Sequence, residues 1–220
     1  DPKRSATKIY SDIPTIIGSA EQWQLESDLI ELDGWSEPAV AQCIAEHLPL
    51  GSSLYVSSSR PIRDLEAFAH PRDGVEVFAN RGLAGIDGNL STALGIASKR
   101  ECTYALVGDL SFLHDLTALV NQENIKLKVI VINNDGGGIF STLPQVGVEG
   151  FEKIFGTPHS QDLFEIASAF KIPVTEIDDL KSLIQFMDPP SKFEIAILQM
   201  PNRESNAALI KELAKRVNYR

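Results

Sequence analysis

Asp109 and Asn134 stand 25 positions apart, each just past an apolar run: CTYALVG (102–108) leads to the first and VIVIN (129–133) to the second. Asp135 and three glycines, Gly136, Gly137 and Gly138, follow at once. A tight turn needs one such glycine, so something approaches this backbone closely. If the two runs are neighbouring strands, the Asp109 carboxylate, the Asn134 amide oxygen and the Gly136 carbonyl converge on one point. Magnesium takes six oxygens at about 2.0–2.1 Å and typically uses one or two carboxylates plus substrate phosphates. The three protein oxygens would leave positions for two diphosphate oxygens and a water. A neutral Asn suits a site beside a diphosphate, where a second carboxylate would add repulsion. Each segment alone has a plainer reading, Asp109 as a helix N-cap and Asn-Asn-Asp-Gly as loop chemistry. Found together at this spacing, they favour the metal-diphosphate reading.

For those groups to meet, strands must lie parallel with their carboxyl ends together. The four β-branched residues Val129–Ile132 read as a strand buried on both faces. Helix and strand alternate after residue 35. Ser36 caps a helix with Pro38 in its first turn, running to about Leu48. Strands are expected at 53–57, 75–79, 102–107, 128–133, 173–177 and 193–200. Helices are expected at 61–69, 86–99, 112–123, 161–170, 179–187 and 203–217. This pattern predicts an α/β fold: a doubly wound, mainly parallel six-stranded sheet with helices on both faces. Ligands bind beyond the carboxyl ends of such strands. There the sequence places Ser57-Ser58-Ser59-Arg60, Asn80-Arg81-Gly82, Gly108-Asp109-Leu110-Ser111 and the Asn-Asn-Asp-Gly run.

Residues 1–30 do not fit the alternation and read as the remnant of a preceding domain and a linker, with the α/β domain spanning 31–220. The first residues, Asp1-Pro2-Lys3-Arg4, carry no initiator Met, so the chain reads as a piece of a longer one. The net charge of -10, from 20 basic and 30 acidic residues, argues against nucleic acid or an anionic membrane as partner. No apolar run approaches the roughly 20 residues of a membrane span. Cys43 and Cys102 sit singly in apolar surroundings and are expected to be reduced, which points to the cytoplasm. The four histidines lie far apart, with no pair at zinc-ligand spacing. No Gly-x-Gly-x-x-Gly follows a strand, and no phosphate-binding Gly-x-x-x-x-Gly-Lys-Ser/Thr is present.

Gly108-Asp109 through Asn133-Asn134 resembles the metal-diphosphate motif of thiamine diphosphate (ThDP) enzymes. ANRGLAGIDG (79–88), GDLSFLHD (108–115) and NNDGGGIFSTLPQ (133–145) narrow the likeness to the MenD family, the menaquinone-pathway synthases. SSSRPIRD (57–64) and FGTPH (155–159) also look like that family, and the likeness covers about residues 30–220. It implies the diphosphate-binding (PP) domain of a much longer chain. A pyrimidine-binding domain, usually of a neighbouring subunit, would supply the glutamate that activates the cofactor.

The resemblance also implies roles for residues. Asp109, Asn134 and the Gly136 carbonyl would hold Mg2+, with Mn2+ as a possible substitute. Gly108 would be among the cofactor-binding residues, and Ser59 and Ser111 would touch the diphosphate. Ile86 would be an apolar wedge that keeps the cofactor bent. Arg63 and Arg81 would meet substrate carboxylates, and Ser59, Ile139, Phe140 and Leu143 would line the substrate pocket. The implied reaction decarboxylates 2-oxoglutarate and adds the succinyl unit to isochorismate, in a homodimer or homotetramer. Ser58 departs from the Asn of many members, and Leu110 from the commoner glycine of the general motif. Plainer readings stand beside these roles: Ile86 and Leu143 also suit a core, and Arg63 could pair with Asp64 or Glu66. His114 and Asp115 read as structural. The rival functions are another ThDP decarboxylase, a separate PP subunit, or a non-catalytic nucleotide-binding α/β module.

Overall fold

The computed structural model describes residues 32–122 and 124–216. The boundary expected at residue 30, and the segment before it, lie outside the described residues. Six strands form one all-parallel sheet: β1 (Ser52–Val56), β2 (Val75–Phe78), β3 (Thr103–Gly108), β4 (Leu127–Asn133), β5 (Val174–Ile177) and β6 (Phe193–Gln199). Their order is β2-β1-β3-β4-β6-β5. The chain therefore moves outward from β1 to β2 and returns to the far side of β1 with β3. That reversal opens a crevice beyond the ends of β1 and β3, where doubly wound sheets bind ligands.

The central strands are apolar on both faces because both are covered. Val129 and Val131 of β4 pack with Ala105, Val107, Ile195 and Ile197 on one face, under α3 (Asn89–Ala97), α4 (Asp109–His114) and α5 (Leu163–Ser168). Ile130 and Ile132 pack with Leu54, Val56, Leu106 and Leu198 on the other, under α1 (Glu37–His47) and α6 (Leu180–Phe186). Alternate residues of one run thus serve two cores. A further helix, α2 (Arg60–Phe68), lies against α1, and α7 (Arg203–Arg216) closes the described chain. Helix starts follow local chemistry. Ser36 Oγ, Asp162 Oδ1 and Asp179 Oδ1 accept from the N–H groups of Ala39, Glu165 and Ser182.

Two helices differ from expectation. The one expected at 86–99 begins at Asn89, because Gly88 takes a left-handed turn (φ 67°) and residues 81–87 stay in an exposed loop. The one expected at 112–123 begins earlier, at Asp109, and breaks at Asp115 into a 3-10 segment, Leu116–Asn121. Asp115 spends its carboxylate elsewhere, accepting from Ser91 N (2.8 Å) and Ser91 Oγ (3.0 Å) to join α4 to α3. A 3-10 turn at Gly138–Thr142 and a π turn at Glu152–Gly156 have no counterpart in the sequence reading. Cys43 is buried and Cys102 half-buried, and both are free thiols. Among the described residues no helix is long and apolar enough to cross a membrane.

Candidate cofactor site

Register brings the two strand ends side by side. Gly108 pairs with Ile132 across β3 and β4, so Asp109 and Asn134 leave adjacent strand ends. Ser57 Oγ accepts from Gly108 N at 3.3 Å, tying the end of β1 to the end of β3. A cavity of about 260 Å³ lies over these ends. Ser58, Ser59, Ile86, Gly108, Asp109, Ser111, Asn134, Gly136, Ile139 and Phe140 line it.

Asp109 is buried and heavily engaged. Its Oδ1 accepts from Leu110 N (2.6 Å), and its Oδ2 accepts from Gly136 N (2.8 Å) and faces His159 Nε2 at 3.3 Å. The Asp109 hydrogen bond pushes the His159 imidazole pKa up, against the opposing effect of burial. Gln161 N donates to Nδ1 of that ring (3.0 Å), which places the proton on Nε2, toward Asp109. Asn134 is 8% exposed, and its Nδ2 donates to Glu37 Oε1 at 2.7 Å. Its Oδ1 is buried and meets no hydrogen-bond partner among the described residues. A buried amide oxygen without a partner costs on the order of 1–3 kcal/mol. A hard cation would recover that cost, and the donor set fits one.

The glycines have a second explanation. Gly136 sits at φ 127°, and a Cβ there would collide with the carbonyl oxygens of Gly156 and Thr157. Gly137 N donates to the Gly156 carbonyl at 2.7 Å. The close approach thus comes at least partly from the chain itself, since the 152–159 segment lies directly on the glycine run. Arg203, at the start of α7, pairs with Glu152 (2.7 Å) and pins that segment.

Ser59, at the β1–α2 turn, adopts φ 75° and ψ -131°, a region that side chains avoid. Such strain persists where the surroundings demand the geometry. Ser59→Gly is expected to leave thermal stability unchanged or raise it by up to about 1 kcal/mol. The same change should weaken diphosphate binding through loss of the hydroxyl. A melt read beside calorimetry checks both, and a clear fall in Tm would show that the turn is not strained.

Three expected site residues stand outside the cavity lining. Arg63 is exposed, with Nη1 donating to the Ser59 carbonyl at 2.9 Å, and Leu143 is exposed at the end of the 3-10 turn. Arg81 lines a separate apolar groove of about 420 Å³, with Leu48, Ile62, Leu65 and Val77. Two further residues carry no role assigned from the sequence, although Arg60 belongs to the strand end Ser57-Ser58-Ser59-Arg60. Arg60 lines the cavity and pairs with buried Asp64, whose carboxyl burial raises to about 6 against the pull of that guanidinium. Glu37 also lines it, 3% exposed; burial raises its carboxyl to about 7, against the Asn134 hydrogen bond. Its position in the first turn of α1 reads locally as helix-dipole chemistry, so nothing in the sequence marked it.

Residues 64–188 match the family described as thiamine pyrophosphate enzyme, C-terminal TPP binding domain. The chain belongs to that family. Within it, the chain is similar to 2-succinyl-5-enolpyruvyl-6-hydroxy-3-cyclohexene-1-carboxylate synthases from several bacteria. The protein of Lysinibacillus sphaericus (strain C3-41) is 40% identical over 190 residues, 83% of this chain and 33% of that protein. That of Thermobifida fusca (strain YX) is 43% identical over 151 residues, 65% of this chain and 27% of its own length. That of Myxococcus xanthus (strain DK1622) is 49% identical over 144 residues, 62% and 24% respectively. The chain thus spans a third or less of these relatives. An X-ray structure of a thiamin diphosphate-dependent enzyme from Mycobacterium smegmatis superposes with a TM-score of 0.55 at 17% identity. The match covers 76% of this chain and 32% of that one, and it bears on the fold.

Proposed function

We propose that this chain is the diphosphate- and metal-binding domain of a synthase that decarboxylates 2-oxoglutarate and joins the succinyl unit to isochorismate. The product would be the 2-succinyl cyclohexene carboxylate of its relatives' names, with carbon dioxide released. The observation that carries the reading is the convergence of Asp109 and Asn134 on one cavity, with the Asn134 oxygen buried and unpartnered. Bound ThDP would supply an electron sink for loss of carbon dioxide from a 2-oxo acid.

The chain's own groups would do the holding. Asp109, Asn134 and the Gly136 carbonyl fit Mg2+, a hard cation that prefers oxygen. Ser59 and Ser111 offer hydroxyls to the diphosphate. Ile86, on the cavity wall, would hold the cofactor bent, while Ile139 and Phe140 would keep water from the reacting carbon. A pyrimidine-binding domain of a neighbouring subunit would close the site. The exposed 81–87 loop, with Leu83 97% and Ile86 43% exposed, supports that partner. The full-length protein would be a cytoplasmic oligomer, and the free thiols Cys43 and Cys102 fit that location.

Calorimetry of the full-length protein tests the reading: ThDP should bind tightly only with Mg2+, and ATP should not compete. ATP binding in its place would favour a nucleotide-binding module.

Both proposed substrates are dicarboxylates, which gives Arg63 and Arg81 a purpose in an acidic chain. A guanidinium makes a planar two-point contact that an ammonium cannot reproduce. Arg81→Lys is expected to lower kcat/KM for the dicarboxylates about 10- to 100-fold, the worth of a lost charge-assisted hydrogen bond, and to spare ThDP affinity. The same holds for Arg63→Lys if its side chain turns inward from the Ser59 carbonyl. Unchanged specificity constants would return that arginine to a structural role.

A further inference from the structure

We propose that Glu37 is a positioning residue, one that fixes the sense of the Asn134 amide so that its oxygen faces the cavity and its nitrogen does not. The inference rests on the cation-site reading above. An asparagine amide has a donor end and an acceptor end of nearly equal size, and only the acceptor can ligate a cation. Something must choose between them. Glu37 Oε1 accepts from Asn134 Nδ2 at 2.7 Å, across 97 residues of sequence. Ionised, the Glu37 carboxylate offers acceptors alone, so it takes the nitrogen and turns the oxygen away. On the nitrogen side the backbone of Gly138 lies close enough that a Cβ there would press on Nδ2. The amide is thus held between a carboxylate and a bare backbone, and Oδ1 is left unpartnered and buried.

The placement of Glu37 favours this role over ordinary helix-start chemistry. An acid in the first turn of a helix usually stands in water and complements the dipole from there. Glu37 instead lies buried, with Oε2 unpartnered among the described residues, an arrangement that costs stability. Its backbone is fixed on both sides, by the Ser36 cap that accepts from Ala39 N and by Pro38 in the first turn. A buried carboxylate so firmly aimed at one amide matches the outer groups that orient metal ligands, whose loss typically weakens metal binding 10- to 100-fold.

The test uses Mn2+ as the probe, titrated by electron paramagnetic resonance into the full-length protein with ThDP present. Melting curves run beside it. Three Glu37 variants separate positioning from charge. Glu37→Asp keeps the charge but withdraws the acceptor by one methylene. Glu37→Leu removes both, and Glu37→Gln keeps full reach but offers a donor beside its acceptor, so it no longer selects one end of the amide. Positioning by an acceptor-only group predicts Mn2+ affinity about 10- to 100-fold weaker in all three. A charge effect predicts Asp near the parent with Gln and Leu weak, and that result overturns the inference. So does parental affinity in a folded Leu variant; should Leu fail to fold, the Asp and Gln pair still decides. If the parent takes up no Mn2+ with ThDP, or Asn134→Ala takes it up normally, the cation-site reading itself fails. If those two controls hold and only the Glu37 variants behave like the parent, the present inference fails alone.

Discussion

Asn134→Ala in the full-length protein is expected to abolish Mg2+-dependent ThDP binding, a loss of at least about 100-fold, while the fold survives. An octahedral site with few protein ligands tolerates little distortion, so removing one oxygen removes the site. Asp109→Ala should have the same effect on the cofactor, but the two variants should part company in a melt. Asp109 holds the N–H groups of Leu110 and Gly136 and faces His159, so its loss strands buried donors. Stranding even one such donor costs about 1–3 kcal/mol. Asn134 makes one hydrogen bond to Glu37, and its oxygen makes none within the described protein. The expected pattern is therefore equal loss of cofactor with unequal loss of Tm, Asp109→Ala falling further. Isothermal titration with Mg2+ and ThDP, read beside calorimetric melting, supplies both numbers. Normal cofactor affinity in either variant would remove that residue from the metal site.

The parts of this site that could be read in the sequence are those set by local pattern. Asp109 and Asn134 each follow an apolar run, and in a parallel sheet the residue after a strand is placed by the strand itself. The pairing of Gly108 with Ile132 realises that geometry. The two-faced burial of β4 was legible for the same reason, since an unbroken β-branched run has no face to give to water. What stayed hidden depends on contacts between distant segments. Glu37 and Asn134 meet across 97 residues, and no local property of a helix-capping Ser-Glu-Pro says that the glutamate turns inward. The role of His159 is hidden likewise, because it reaches Asp109 only through the 152–159 segment packing on the glycines. The glycine run itself invited half of the right inference: something does approach closely, and one such thing is the Gly156 carbonyl. Helix boundaries failed where a side chain had a better offer, as at Asp115, whose carboxylate serves α3.

Purified alone, this 220-residue chain is expected to fold but not to turn over. Folding follows from the two cores, each closed by the chain's own helices on its own face of the sheet. Catalysis is another matter, because on the proposed reading a pyrimidine-binding domain outside this chain supplies the other half of the cofactor's surroundings. The diphosphate and cation would find Asp109, Asn134 and Gly136. The far end of the cofactor would meet the 81–87 loop, whose apolar side chains lie open to water. That loop is held by the two asparagines that flank it. Asn80 Nδ2 donates to Tyr55 Oη (3.2 Å), while Asn89 accepts from the same hydroxyl (2.7 Å) and donates to the Gly85 and Asp87 carbonyls. Between the borders, Leu83 and Ile86 await a surface to pack on. On that reading the isolated chain lacks the partner's glutamate that exchanges a proton with the cofactor ring, a contribution typically worth 10²–10⁴-fold, and the wall that excludes water. ThDP affinity should fall too, since much of the ring surface would remain hydrated. Carbon dioxide release from 2-oxoglutarate, with saturating ThDP and Mg2+, with and without isochorismate, measures the outcome. Release should stay at or below about a hundredth of the median enzymatic turnover of about 10 s⁻¹. Adding the pyrimidine-binding domain in trans should raise it. Turnover near that median by the isolated chain would mean that it carries a complete site, and that the exposed loop has a different purpose.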